Sequence, residues 1–160
     1  ASCSVPAMID TALGLASNDY DLKKMYDFKS ILIERHHGEG VGDVECTETE
    51  IIQVLLNIIK NSAQAMPGRG QRPDTPRLRL ATSRTPDAVR IEIEDNGPGM
   101  DEATRRRVFE PVFTTKPQGE GTGLGLSVGY FIITQKHRGH FSVESQPGVG
   151  TRFVIELPLV

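Results

Sequence analysis

The chain has 160 residues, of which 38% are hydrophobic and 24% charged, and its net charge is −3. That is one domain's length with apolar residues enough for one core, and the acidic balance argues against nucleic acid as a partner. Its two cysteines, Cys3 and Cys46, lack metal-ligand spacing and imply no disulfide framework, so a reducing, cytoplasmic setting is expected. No signal peptide is visible. The most apolar stretch, Ile51 to Ile59, is broken by Gln53 and Asn57 and is too short to span a bilayer, so no membrane contact is expected for this segment. The chain starts at Ala1 rather than Met, which reads as a piece of a larger parent, and the parent's anchoring is a separate question.

In chain order, Pro6 to Ala16 reads as a short amphipathic helix with proline in its first turn. Lys29 to Glu34 and Val44 to Cys46 read as neighbouring strands around a Gly38 to Gly42 turn. Thr47-Glu48-Thr49-Glu50 predicts a capping box at the start of a long helix. Ile52, Leu55, Leu56, Ile59, Ala63 and Met66 follow helical spacing up to Met66-Pro67-Gly68. Pro67 to Pro76 is a loop. Pro76 to Thr82 and Ala88 to Glu94 alternate as a strand pair, and Glu102 to Phe109 is a short helix with a solvated Arg105-Arg106-Arg107 face. Pro111 to Gly123 is a long polar loop, suited to a mobile lid. A helix from Leu124 to Gln135 and strands Phe141 to Ser145 and Thr151 to Leu157 close the chain. The pattern predicts an α/β, two-layer α+β sandwich: a mixed, mostly antiparallel sheet of about five strands with about three helices on one face.

Five segments carry chemistry. In Asp95-Asn96-Gly97-Pro98-Gly99, Asp95 follows an alternating strand and falls on its apolar side. A carboxylate there needs a donor, and an exocyclic amine such as that of adenine suits it, with glycines allowing close approach; such a run also often only caps its own turn. On the long helix, Gln53, Asn57, Asn61 and Gln64 form a polar stripe. Asparagine is a poor helix former, and its amide oxygen is a hard ligand suited to Mg²⁺, although two exposed amides would look the same in sequence. Gly119 to Leu126 runs glycine-rich into a helix, a phosphate cradle or a hinge, but it is neither a Walker loop nor a dinucleotide fingerprint. Before it, Lys116 can reach a terminal phosphate as a mobile charge. Finally, Gly148-Val149-Gly150-Thr151 sets a hydroxyl beside glycines that can approach a planar ring, and is otherwise an ordinary turn.

Taken together and in this order, these segments resemble the catalytic ATP-binding domain of bacterial sensor histidine kinases, within the superfamily shared with DNA gyrase, the MutL proteins and a heat-shock chaperone. Asn57 to Ala63 resembles the N-box and Asp95 to Gly99 the first glycine box. Val108 to Lys116 resembles the F-box, Gly121 to Leu126 the second glycine box, and Gly148 to Phe153 the last. The motifs span Glu50 to Pro158, so residues 1–160 are expected to be one such domain with a Bergerat-type ATP-binding fold.

The resemblance implies roles. Asp95 accepts from the adenine amine, bordered by Gly97, Gly99 and Thr151. Asn61 ligates Mg²⁺, with Asn57 beside it near the phosphates. Thr115, Lys116, Gly121, Gly123, Leu124 and Gly125 belong to the lid and phosphate side. Asn57, Asn61 and Lys116 are the residues expected to serve catalysis. The cofactors implied are ATP and Mg²⁺, and the partners a phosphoacceptor His domain of the same parent and a response regulator. The Thr114-Thr115-Lys116 ending looks most like nitrogen-regulation-type sensor kinases.

Three departures stand out: Val112-Phe113 where many relatives have two Phe, Ser62 where Ala is commoner, and a long Pro67 to Pro76 loop. None of His36, His37, His137 and His140 is followed by an acid on a helical hairpin, so the dimerising phosphoacceptor domain is expected to lie outside this chain. The reading is an ATP-dependent protein-histidine kinase domain that does not phosphorylate itself in isolation. A non-catalytic nucleotide sensor and an ATP hydrolase are its rivals. The latter usually carries a Glu where this chain has Asn57.

Overall fold

The computed structural model describes residues 1–18, 28–66, 75–111 and 125–159. Strand β1 (Ser2–Ser4) leads into helix α1 (Val5–Ser17), whose N-terminus is capped by the Ser4 hydroxyl on the Ala7 N–H at 3.3 Å. Strands β2 (Leu32–His37) and β3 (Asp43–Glu45) precede the long helix α2 (Glu48–Ala65). Strands β4 (Arg77–Arg84) and β5 (Ala88–Asp95) follow, then the short helix α3 (Glu102–Arg107). Helix α4 (Gly125–Phe131) runs on into a π-helical turn (Ile132–Lys136), and β6 (His140–Gln146) and β7 (Gly150–Pro158) end the chain.

The main sheet has the order β2-β4-β5-β7-β6, with only β2 and β4 parallel. The helices cover one face, as the sequence predicts. Ile51, Leu55, Ile58 and Ile59 of α2 and Met8 and Ile9 of α1 bury fully against Leu78, Leu80, Ile91, Ile93 and Phe153. The opposite face is a charged ladder in which Arg152 bridges Glu92 at 3.2 Å and also pairs with Glu144. On α3 the arginine triplet is held by its own helix: Arg105 and Arg106 pair with Glu102, and Arg107 with Glu110.

Two expectations are corrected. Residues 29–30 belong to a 3₁₀ turn, Phe28–Ser30, and the strand starts at Leu32. That strand makes no hairpin with β3. It pairs in parallel with β4, while β3 pairs with β1 in a separate two-stranded sheet, Cys3 opposite Val44. A three-residue strand carries too little pattern to name its partner.

This small sheet buries both thiols, which are free. Burial, and next the neighbouring Cys3 thiol, push the Cys46 thiol up to about 12. The neutral thiol is the form the fold favours, so its contribution is complete below the usual thiol range and is lost as the pH climbs towards about 12. Both cysteines should therefore resist a thiol-disulfide reagent at pH 8 until denaturant is added. Rapid native labelling of either would show that the small sheet is open.

Candidate nucleotide-binding site

The sheet's inner face changes character at one end. Leu80, Ile93, Phe153 and Val143 are register partners across β4, β5, β7 and β6, and all are buried apolar residues. The next row outward is Leu78, Asp95, Thr151 and Ser145. Asp95 and Thr151 are 5% and 8% exposed. So a buried carboxylate and two hydroxyls take over where the apolar core stops. Asp95 Oδ1 accepts the Gly97 N–H at 2.8 Å, which meets part of the desolvation cost of the carboxylate.

Serine 145 organises the turn beside it. Its Oγ accepts the Met100 N–H at 2.7 Å and donates to the Gly150 carbonyl at 3.1 Å. Thr151 Oγ1, 2.8 Å away, then donates to Ser145 and keeps its own lone pairs as acceptors beside Asp95. The first glycine loop is stapled to the β6–β7 turn by Gly148 N–H to Pro98 O at 2.7 Å. Asn96 is structural: its side chain accepts from Arg77 N–H and donates to Thr75 O, each at 2.8 Å.

Two glycines are dictated by this docking. Gly99 sits at φ +72°, and a Cβ there would overlap the Gln146 carbonyl. Gly150 sits at φ +149°, where a Cβ would overlap the Asp95 carbonyl. Gly99→Ala should cost about 2–3 kcal/mol and lower the Tm by roughly 4–12 °C in a domain of this size. An unchanged thermal melt would show that the loop is not held as described.

Helix α2 forms the other wall. At its C-terminal end Met66 lies close to Gly97: a Cβ on Gly97 would stand 3.8 Å from Met66 Cγ and 2.9 Å from Asp95 Oδ1. Nine residues earlier, Asn57 meets the start of α4, with its Nδ2 3.5 Å from the Gly125 carbonyl and its Oδ1 accepting from Gln53 at 2.9 Å. Nine helical residues span roughly 13 Å, the length scale of a nucleoside triphosphate between base and terminal phosphate. Asn61 lies between these points, half-buried, and among the described residues no hydrogen bond engages its amide. Phe109 packs its ring at a tilt against Phe141 and Tyr130, with centroids 4.7 and 4.9 Å apart, and ties the start of the F-box segment to α4 and β6.

The donor set fits a Mg²⁺-nucleotide. The space over Asp95 is one that a Cβ on Gly97 would fill. The Ser62 hydroxyl, on the inner face of α2 one turn before Met66, is fully buried and has no hydrogen-bond partner among the described residues. Such a group is ordinarily satisfied by water or ligand. Among the described residues no cluster of three or more His, Cys, Asp or Glu suited to a metal occurs, and the Asn57 and Asn61 amide oxygens of α2 are of the hard type that Mg²⁺ takes.

Of the residues singled out in sequence, the structure brings Asp95, Gly97, Gly99 and Thr151 together at one end of α2, and brings Asn57 and Gly125 together nine residues earlier along that helix. Thr115, Lys116, Gly121, Gly123, Leu124 and the lid expected there fall in residues 112–124, outside the described residues. Ser145 and Met66 escaped sequence reasoning as site residues. No local pattern marks Ser145, whose role comes from its register opposite Thr151.

Residues 46–160 match the family described as histidine kinase-, DNA gyrase B-, and HSP90-like ATPase. The chain belongs to this family. It is 43% identical over 108 residues to the signal transduction histidine-protein kinase AtoS of Escherichia coli (strain K12), covering 67% of this chain and 16% of that protein. Sporulation kinase A of Bacillus subtilis (strain 168) is 32% identical over 154 residues, 96% of this chain and 22% of its own. The sensory histidine kinase/phosphatase NtrB of Vibrio alginolyticus is 36% identical over 138 residues, 82% of this chain and 38% of its own. The chain thus spans a minor part of the length of these relatives. Among solved structures, the nucleotide-free catalytic domain of histidine kinase ThkA aligns with a TM-score of 0.79 and 27% identity over 99% of this chain and 94% of that one. The domain is therefore homologous to the catalytic domains of sensor histidine kinases of two-component systems. Among the described residues no helix is long and apolar enough to cross a membrane.

Proposed function

We propose that this chain is the ATP-binding catalytic domain of a two-component sensor histidine kinase. It presents the γ-phosphate of ATP to a His on a phosphoacceptor domain of its parent, for relay to a response regulator, in the cytoplasm. The observation that carries the reading is the buried Asp95 carboxylate, fixed by the Gly97 N–H at the end of the apolar core beside Thr151. A carboxylate held there selects a base that offers an amine.

The chain's own groups position and neutralise rather than react covalently, which suffices for phosphoryl transfer. Asp95 and Thr151 hold the base edge, with Gly97 and Gly99 leaving room for the ring. Asn57 keeps the start of α4, at Gly125, against α2. Asn61 would hold Mg²⁺, which neutralises phosphate charge when bound. Lys116, with Thr115, Gly121, Gly123 and Leu124, is assigned to the phosphate side from sequence. The Thr114-Thr115-Lys116 ending and the likeness to NtrB favour a nitrogen-regulation-like subgroup. Asn57 occupies the place where a hydrolase would want a carboxylate base, so steady-state ATP hydrolysis should be slow.

ATP should bind in preference to GTP, because guanine offers a carbonyl where adenine offers an amine. Titration calorimetry with both nucleotides decides it, and equal affinities would remove Asp95 from the base site. The chain alone should acquire no acid-labile, base-stable phosphate from radiolabelled ATP, whereas a phosphoacceptor hairpin from its parent, added as a separate polypeptide, should be labelled. Label on His36, His37, His137 or His140 would contradict the reading.

A further inference from the structure

The predicted capping box of α2 is not what closes that helix. Thr47 is the N-cap residue, but its hydroxyl makes no capping bond. In a capping box the Glu three residues on would take the Thr47 N–H. Here that N–H donates instead to His137 Nε2 at 3.1 Å, and the Glu50 carboxylate pairs with Lys136. Because Nε2 accepts, the ring proton resides on Nδ1, which donates to the Ile132 carbonyl at 3.0 Å. The imidazole can do both only when neutral.

The backbone around His137 is held tightly. The His137 and Gly139 N–H groups close the π-helical turn on Ile132 O and Ile133 O, at 3.1 and 2.8 Å. Arg138 takes φ +57°, costly for a residue with a Cβ, and a Cβ on Gly139 would overlap the Glu156 carbonyl of β7. A strained residue persists where its surroundings over-determine it, and such places cluster at functional sites. The rod formed by α4 and its π-helical turn is thus fastened to α2 at both ends. Asn57 meets Gly125 at one end, and Thr47 and Glu50 meet His137 and Lys136 at the other. Between them Gly129 packs against Val54 of α2, 3.4 Å from where a Cβ would stand.

We propose that His137 is a positioning residue for the reaction: through its neutral imidazole on the Thr47 N–H it sets how the helix bearing Asn57 and Asn61 lies against the helix that starts at Gly125. This rests on the assignment of the nucleotide's phosphates to that gap. Glu50, in the first turn of α2, is within electrostatic reach of the imidazole, and an imidazolium Nε2–H could not accept from Thr47.

Three proteins test it: wild type, His137→Gln, whose Oε1 replaces the Nε2 acceptor, and His137→Leu, which removes it. Heteronuclear NMR of the nucleotide-free wild type at pH 8 should show the Nδ1–H tautomer at His137 and a slowly exchanging Thr47 amide. At pH 8, His137→Gln should bind Mg²⁺-ATP as wild type does and His137→Leu roughly five- to tenfold more weakly, the scale of one lost hydrogen bond.

An Nε2–H tautomer, or a folded His137→Gln chain that binds Mg²⁺-ATP several-fold more weakly than wild type, would overturn the proposal even if His137→Leu does not fold. A wild type that binds no ATP at pH 8 would sink the nucleotide reading instead, while the tautomer and the Thr47 amide still report on the tie itself.

Discussion

Asp95→Asn should lower ATP affinity roughly 10- to 150-fold, because a hydrogen bond to a charged group contributes about 1.5–3 kcal/mol. The substitution is informative because it spares the local structure. Asn retains an oxygen for the Gly97 N–H, which Asp95 accepts at 2.8 Å, so the turn stays closed. What changes is the second oxygen, which becomes a donor where the proposed reading needs an acceptor for the adenine amine. The same change should narrow the preference for ATP over GTP, since an amide N–H suits the guanine carbonyl. Calorimetry with both nucleotides, beside a thermal melt, separates the two effects. A variant that melts like wild type and binds ATP equally well would place the base elsewhere. A variant that melts far lower would show that Asp95 serves the turn rather than a ligand.

The Asn61→Ala chain should lose phosphotransfer to a supplied phosphoacceptor hairpin by roughly 100-fold or more, since a bound metal stabilises transition-state charge by several kcal/mol. Its fold should be at least as stable as wild type. The Asn61 amide is half-buried, has no hydrogen-bond partner among the described residues, and Ala is the better helix former by about 0.5–0.7 kcal/mol. The increase in ATP affinity on adding Mg²⁺ should vanish in the variant. A large drop in Tm with phosphotransfer retained would make Asn61 structural and move the metal elsewhere.

Asp95 shows how much of the site was legible in the sequence. The alternation of Val89, Ile91 and Ile93 already places it on the buried face, and the structure finds it 5% exposed at the strand's end. The same period-2 logic recovers β4, β6 and β7 to within two residues at each end. Helix α2 was legible because eighteen residues repeat one apolar face. Its start at Thr47 was legible but its capping was not, because Thr47 and Glu50 have the right types for a capping box but each found a partner about ninety residues on, at His137 and Lys136. The partner of β2 was misread for a related reason: strands this short are paired by whichever edge the fold leaves open.

The sequence by itself determined the two-layer class, the one-sided core and the family, since these rest on periodicity and on five ordered motifs that local chemistry imposes. Tertiary structure decided what those motifs face. It set Ser145 opposite Thr151 in register, put Met66 beside Gly97, and closed the first turn of α2 with a histidine from another element. The physical reason is one of range. Side-chain period and turn chemistry act over a few residues and leave their mark in the chain. A hydrogen bond across ninety residues depends on where two packed elements come to rest, and no local pattern carries that.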